Sequence, residues 1–216
     1  MFDLVPFVRA IGYLGLFGVV FAESGLFFGF FFPGDSLLFT AGFLASQGFL
    51  RLEILMPLVF VAAVLGDSAG YAFGYRVGPK IFKREDSIFF HKDHLEAARV
   101  FYERHGGKAL ILARFMPIVR TFAPILAGVG QMRYSSFIIY NLVGGALWAC
   151  GLSAFGFYLG ATIPNADSYL LPIILLIVFI SILPPIIHVV RDPKKRNFII
   201  LSVRDKLRRL RQVFDR

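Results

Sequence analysis

Long apolar stretches, separated by short polar or Pro/Gly-rich breaks, run through most of the chain. Three of them are continuous and exceed the roughly 20 residues that an α-helix needs to cross a bilayer. Two others contain prolines, and a proline in a helix interior kinks or breaks the helix. The pattern therefore predicts an all-α polytopic membrane protein. Its segments are an apolar helix at 4–22, broken hairpins at about 23–48 and 109–131, spans at about 54–78 and 135–163, and an additional C-terminal span at 168–190. The helix at 4–22 either crosses the membrane or lies along its surface.

Composition supports this class and adds an orientation. The chain of 216 residues is 57% hydrophobic, against roughly 45–50% apolar residues in an average soluble domain. Most of the formal net charge of +9 comes from residues 191–216, which hold ten Lys or Arg against three Asp. Basic segments beside a span stay in the cytoplasm. We therefore expect a membrane domain at 1–190 and a basic cytoplasmic tail at 191–216 that touches anionic lipid headgroups, with no nucleic acid as partner.

The basic residues also orient the two broken segments. The connector 79–108 contains lysines and arginines next to a span, so it too is expected in the cytoplasm. Segment 109–131 must then enter and leave the membrane on the cytoplasmic side, while segment 23–48 ends outside. Such re-entrant hairpins are tolerated at membrane depth only when they are buried in protein or line a wet cavity.

A short internal repeat accompanies this order. The pattern of residues 70–78 recurs 82 residues later at 152–160, and each copy follows a broken apolar segment. The two copies are expected to cross the membrane in opposite directions. The chain thus predicts an inverted repeat of re-entrant hairpin plus transmembrane helix, an arrangement typical of transporters that bind substrate near the midplane.

A stripe of glycines marks one face of the span at 54–78. Gly66, Gly70, Gly74 and Gly78 recur every four residues, and small residues at this spacing let another helix approach closely. We interpret the stripe as a packing surface. Asp67 and Tyr71 adjoin it; Asp67 is expected either to pair with a buried arginine or to cap a helix end.

Four charged residues lie inside the apolar stretches: Glu23, Asp35, Arg114 and Arg120. On insertion scales each charge at the bilayer centre costs about 2.5–3.5 kcal/mol, so four unpaired charges would oppose insertion by roughly 10 kcal/mol. A cost of this size indicates either a transport pathway or a set of buried ion pairs.

The two arginines suit a phosphate. Arg114 and Arg120 are six residues apart, which on a continuous helix would turn them about 240° from each other. A break at Pro117 allows them to occupy the two arms of a hairpin tip and face one polyatomic anion. Guanidinium groups bind phosphate well because they stay charged and present a fork of donors.

The two acids flank the break at Pro33-Gly34. Asp35 and the serine after it are good N-cap residues, so a half-helix is expected to start near Leu37, with its positive end favouring an anion. Glu23 and Asp35 are expected to load and release a proton. The alternative is that the acids and arginines form ion pairs that lock the hairpins together.

Two hydrolase-like motifs do not support an enzyme. Residues 66–70 match G-x-S-x-G, and residues 34–37 resemble a GDSL block. A nucleophilic serine needs a strand–turn–helix setting and a His with an acid to activate it, and neither motif has that context. Three histidines in the connector come without further ligands, so we expect no metal, no cofactor and no enzymatic activity.

Four blocks with specific spacing resemble the DedA family, whose shared region is also called the VTT or SNARE-associated domain. The resemblance covers about residues 15–165. It implies a polytopic inner-membrane protein with two opposed re-entrant hairpins. Bacterial members are implicated in returning undecaprenyl phosphate or other phospholipids across the membrane with help from the proton motive force, and eukaryotic relatives scramble phospholipids. The blocks are Glu23 with Phe32-Pro33-Gly34-Asp35, Gly66-Asp67 with Tyr71 and Gly74, Arg114-Phe115 with Pro117 and Arg120, and Gly128.

The resemblance also implies that Glu23 and Asp35 match the family's essential acids, and Arg114 and Arg120 its essential arginines. The functional hypothesis is a proton-linked flippase for a phosphate-bearing lipid, in which the arginines bind phosphate and the acids couple protonation to hairpin movement. Its partners would be membrane lipids and protons, and a homo-oligomer is compatible with it. The alternatives are a small-anion transporter and a non-transporting scaffold for envelope integrity.

Overall fold

The computed structural model describes residues 4–26, 33–81 and 106–163, with the single positions Val100, Pro172 and Leu176. Within these ranges every regular element is helical. The predicted span at 168–190, the basic tail and most of the connector lie outside the described residues. In chain order the elements are α1 (Leu4–Gly25), α2 (Gly34–Ser46), α3 (Leu52–Ile81), α4 (Lys108–Ala113), α5 (Pro117–Val129), α6 (Tyr134–Gly145), a π-helical turn (Ala146–Cys150) and α7 (Gly151–Thr162).

Three helical stretches are long and apolar enough to cross a membrane: Pro6–Gly25, Leu52–Gly78 and Tyr134–Thr162. The last comprises α6, the π-turn and α7 as one continuous helix. By contrast α2 and α5 contain 13 residues each. At 1.5 Å per residue this is about 20 Å, less than the roughly 30 Å of a hydrocarbon core. The predicted spans at 54–78 and 135–163 therefore match long helices, and the broken segments match short ones.

In the first half of the molecule the chain reverses direction beside the middle of α3. The backbone N–H of Arg51 donates to the hydroxyl of Tyr13 at 2.6 Å, whereas Gly25 packs against Gly66. Helix α1 thus runs parallel to α3, from near its start to its middle. Helix α2 begins beside Glu23 at that middle level and returns toward the loop before α3.

The second half packs along α3 in a related way. Helix α5 lies on the C-terminal half of α3, with Ile125 against Gly74 and Val129 against Gly78. The long α6–α7 helix runs antiparallel to α3. The ring of Phe137, near the start of α6, stacks on Tyr71 in the C-terminal half of α3, with ring centroids 4.5 Å apart. Cys150 contacts the carbonyl of Met56 near the N-terminal end of α3, with the sulfur 3.8 Å from the oxygen.

The two short helices use matching contacts on the two long ones. On α3, Gly74 faces the carbonyl of Ile125 so closely that a Cβ would overlap it; on α7, Gly156 faces the carbonyl of Phe39 in the same way. Gly156 follows Gly74 by 82 residues, the spacing of the sequence repeat. The arm of each broken segment therefore packs on the long helix of the other half.

The boundaries differ from the prediction at the first break. Helix α2 starts at Gly34, three residues before Leu37, so Asp35 lies in its first turn rather than at the N-cap. No side chain of the N-cap residue, Pro33, bonds to the helix. Instead the Gly34 N–H donates to the Glu23 carboxylate at 3.2 Å. A cap from a separate helix allows α2 to begin earlier than its local sequence indicates, and Glu23 belongs to the last turn of α1.

The close glycine contacts can be tested by adding one methyl group. Gly74→Ala and Gly156→Ala each place a Cβ against a backbone carbonyl, and we expect each to lower the free energy of unfolding by about 1–3 kcal/mol. Gly151→Ala is the matched control, since among the described residues nothing beyond its own stretch of helix lies within 4 Å of the added Cβ. Thermal unfolding in detergent gives the midpoint temperature of each variant. Equal midpoints for all three would show that the helices do not approach closely at Gly74 and Gly156.

Candidate functional site

Arg120 joins three helices. It lies in the first turn of α5, and its two terminal nitrogens donate to Asp35, in the first turn of α2, and to Glu23, at the end of α1. Glu23 is fully buried and Arg120 is 5% exposed. Because a buried charge is costly without a partner of opposite sign, this ion pair network fixes where the three helix ends meet.

Glu23 makes a second contact that explains the glycine at position 34. One carboxylate oxygen accepts the Gly34 N–H, and a Cβ at this position would overlap the other oxygen. The carboxylate also lies at the positive end of α2, where negative charge is favoured. Glu23 therefore satisfies a helix terminus and an arginine together.

Arg114 forms a separate cluster. It follows the last residue of α4 and donates through one terminal nitrogen to both Asp67 of α3 and the amide oxygen of Asn141 of α6. The Asn141 amide nitrogen in turn donates to the carbonyl of Val64 at 3.1 Å. Arg114 and Arg120 thus contact different acids, and Asp67 is paired with a buried arginine rather than capping a helix.

Trp148 lies between the two clusters. Its indole N–H donates to Asp35 at 2.7 Å. The guanidinium carbon of Arg120 lies 4.4 Å from its ring centroid, and that of Arg114 lies 5.9 Å away. Both distances are within the range of a cation–π interaction. One aromatic ring thus contacts both arginines.

The whole site stands midway along the long helices. Asp67 is 15 residues after the first residue of α3 and 14 before the last. Trp148 is 14 residues from each end of the helix Tyr134–Thr162. If these helices cross a bilayer, the charges lie near its centre, where the cost of an unpaired charge is highest.

Several buried polar atoms at or near this site have no hydrogen-bond partner among the described residues. They include the Nε of Arg120 and one carboxylate oxygen of Glu23. The hydroxyl groups of Ser24, Thr121 and Ser153 are likewise buried and lack a hydrogen-bond partner within the described ranges. In the described ranges no group of three His, Cys, Asp or Glu side chains has the arrangement of a metal site.

The remaining residues singled out from the sequence surround this site. Gly66 packs on α1, and Gly70 packs against Pro124 and Ile125 of α5. Tyr71 donates its hydroxyl to the carbonyl of Met132, while Pro117 begins α5.

Two site residues were not predicted. Asn141 is an amide inside an apolar helix, and Trp148 is the only tryptophan of the chain. A single amide in an apolar helix, as at Asn141, was the sequence signal that could have indicated a buried polar contact.

The interaction free energy between Asp67 and Arg114 can be measured by a double-mutant cycle. Asp67→Asn or Arg114→Gln alone leaves one buried charge without its partner, and we expect a loss of about 3–5 kcal/mol in the free energy of unfolding. The double variant should lose less than the sum of the two, by about 0.5–3 kcal/mol. Urea or thermal unfolding in detergent gives each value.

A surface pair provides the control for this cycle. Arg51 and Glu53 are 3.8 Å apart with side chains 76% and 79% exposed, and such pairs contribute little. Glu53→Gln is therefore expected to leave stability unchanged. Additive losses for the two buried substitutions would show that Asp67 and Arg114 do not interact.

Comparison with known proteins places the chain in a family. The model of the VTT domain matches residues 32–158. The chain is 44% identical to Protein DedA of Escherichia coli (strain K12) over 84% of each chain. It is also 44% identical to the uncharacterized membrane protein ML0287 of Mycobacterium leprae, over 78% of this chain and 75% of that one. Inner membrane protein YghB of Escherichia coli (strain K12) is 34% identical over 71% of this chain and 70% of its own. No solved structure matches the chain. The chain therefore belongs to the DedA family of membrane proteins, whose shared region is the VTT domain.

Proposed function

We propose that this protein is a flippase for an anionic lipid with a phosphate headgroup, either undecaprenyl phosphate or a phospholipid. It would act in the cytoplasmic membrane, with its C-terminus in the cytoplasm and with protons as the coupled ion. The observation that supports this most is a pair of buried arginines held midway along helices of membrane-spanning length. A headgroup crossing a bilayer meets its highest barrier at the centre, and fixed positive charge there lowers that barrier.

The contacts of Arg120 suggest how a phosphate would bind. Its two terminal nitrogens already hold Glu23 and Asp35, and its Nε is a buried donor without a partner among the described residues. A phosphate prefers the same planar fork of donors that a carboxylate uses. Phosphate and carboxylate therefore compete for one guanidinium, and binding requires that at least one carboxylate be released.

Protonation is the natural way to release it. The site holds two arginines and three carboxylates, Glu23, Asp35 and Asp67, so it carries a net negative charge when all of them are ionised. Such a cluster repels an anion. A proton on Glu23 or Asp35 weakens its ion pair with Arg120 and removes the repulsion, so uptake of the phosphate and uptake of protons are linked.

The short helices fit a re-entrant arrangement. Helices α1 and α2 meet at the level of Gly66, and α5 starts at the level of the same site. Together with the reciprocal glycine contacts of Gly74 and Gly156, these ends support our proposal of an inverted repeat of hairpins. Two hairpin tips that share one charge cluster would alternate its access between the two sides of the membrane.

The second candidate is a scaffold without transport activity. It is favoured by one observation: each of the four charges predicted from the sequence is paired. The contacts of Arg120 join α5 to α1 and α2, and those of Arg114 join the end of α4 to α3 and α6. Ion pairs of this kind would hold the hairpins closed as a fixed structural core.

Lipid movement in proteoliposomes distinguishes the two functions. Labelled undecaprenyl phosphate or phospholipid should cross faster with wild-type protein than without it. Arg120→Gln should lower the protein-dependent rate at least tenfold, because a neutral amide at the midplane offers the headgroup no charge. Arg133→Gln, which removes an exposed arginine at the start of α6, is the matched control and should transport normally.

Movement of lipid at the protein-free rate would reject the flippase and favour the scaffold. Inorganic phosphate trapped in the same vesicles tests the small-anion alternative: its release without lipid movement would assign the site to a soluble anion. Arg114→Gln is measured in parallel, and a loss like that of Arg120→Gln is expected.

Proton coupling gives a further prediction. Wild-type transport should vary with pH, because the ion pairs of Arg120 must open for a phosphate to bind. Asp35→Asn should show a weaker dependence of transport on pH than wild type, since the amide cannot ionise and only Glu23 remains to take up a proton beside Arg120. Glu53→Gln removes an exposed carboxylate and should keep the wild-type profile. A pH profile that is unchanged in Asp35→Asn would show that this residue does not carry the proton.

A further inference from the structure

Trp148 occupies an unusual place in the backbone. It lies in the π-helical turn Ala146–Cys150, and its side chain is 1% exposed. A π-turn holds more residues than a turn of α-helix and changes the direction of the side chains within it, and such turns are frequent at functional sites. Here the turn stands midway along the α6–α7 helix and presents the indole to the charged site.

The indole makes two kinds of contact with one ion pair. Asp35 accepts a hydrogen bond from the indole N–H and another from Arg120 on the same carboxylate oxygen. The guanidinium of Arg120 also lies over the face of the ring. Trp148 therefore contacts both members of the Asp35–Arg120 pair.

We infer that Trp148 is a positioning residue of the transport site, which holds Arg120 and Asp35 in place when their ion pair opens. The in-plane N–H groups of a guanidinium bind carboxylate or phosphate, whereas its face stacks on an aromatic ring. The two contacts do not compete, so the ring can retain the guanidinium while its donors change partner. The indole N–H likewise leaves Asp35 with a donor after Arg120 has turned away.

Charges from each neighbouring element face this ring. Asp35 comes from α2 and Arg120 from α5, Glu23 from α1 bonds to Arg120, and Arg114 lies within 6 Å of the ring with Asp67 of α3 as its partner. A change in the partners of either arginine therefore changes the surroundings of this indole. The contacts of Trp148 do not depend on what the protein transports, whereas its role in transport rests on the proposed function.

Trp148 can report on its own contacts, because the chain contains no other tryptophan. Purified protein in lipid nanodiscs, without added substrate, is compared by fluorescence emission and lifetime. Asp35→Asn and Arg120→Gln should each shift the emission of Trp148 relative to wild type. Arg133→Gln and Glu53→Gln change exposed charges and should leave it unchanged. Identical emission in all five proteins would overturn the inference, whatever the protein transports.

Transport by variants of Trp148 tests whether this residue positions Arg120 and Asp35 during transport. Trp148→Phe keeps a ring face for Arg120 and loses the N–H, while Trp148→Leu loses both. We expect Trp148→Leu to raise the KM for the phosphate lipid at least tenfold and Trp148→Phe to lower kcat with little change in KM. Phe39→Leu is the matched control, since it removes an equally buried ring that packs on Phe155.

The fluorescence and transport experiments together separate the inference from the proposed function. If Trp148→Leu transports as Phe39→Leu does, the positioning role is wrong even where lipid transport is real. If the emission responds to Asp35→Asn and Arg120→Gln but wild-type protein moves no lipid, the contacts of Trp148 stand and the flippase fails.

Discussion

The buried guanidinium of Arg120 is the constraint on which the rest of the site depends. A charge taken out of water must keep partners of opposite sign, and Arg120 finds them in Glu23 and Asp35 on two other helices. Helices α1, α2 and α5 therefore have ends at one level, midway along the long helices. Removing one acid would leave the guanidinium only partly compensated, which is costly for a buried charge. Under the proposed function, a phosphate that replaces a carboxylate would meet the same requirement.

Close backbone packing supports this arrangement from both sides. Helix α5 lies on α3 and helix α2 on α7, and each contact depends on a glycine opposite a backbone carbonyl, at Gly74 and Gly156. Small residues are effective here because lipid offers no hydrophobic force between helices, so that dispersion and close fit carry the association. The helix ends that hold the charges are thus positioned by stiff packing along their lengths. Under the proposed function, this packing would keep the fold in place while the acids and the arginine exchange partners.

Much of this could be predicted from the sequence, because prolines, glycine spacing and charges in apolar segments each have a direct physical meaning. The start of α2 could not, since its cap is the carboxylate of Glu23, eleven residues away from Gly34. Nor does spacing choose between two arginines as the partner of Asp67. Asn141 and Trp148 occur alone in an apolar helix, where a side chain reads as packing until the fold brings charges beside it.

In the proposed mechanism a phosphate replaces a carboxylate on Arg120, and the released carboxylate takes up a proton. Calorimetric titration of the purified protein with undecaprenyl phosphate, in buffers of different ionisation enthalpy, measures the protons bound with each phosphate. At a pH well above about 6, where a phosphate monoester is doubly ionised, we expect net proton uptake that is smaller in Glu23→Gln and in Asp35→Asn than in wild type. Binding with no proton uptake, or with the same uptake in those variants, would contradict it.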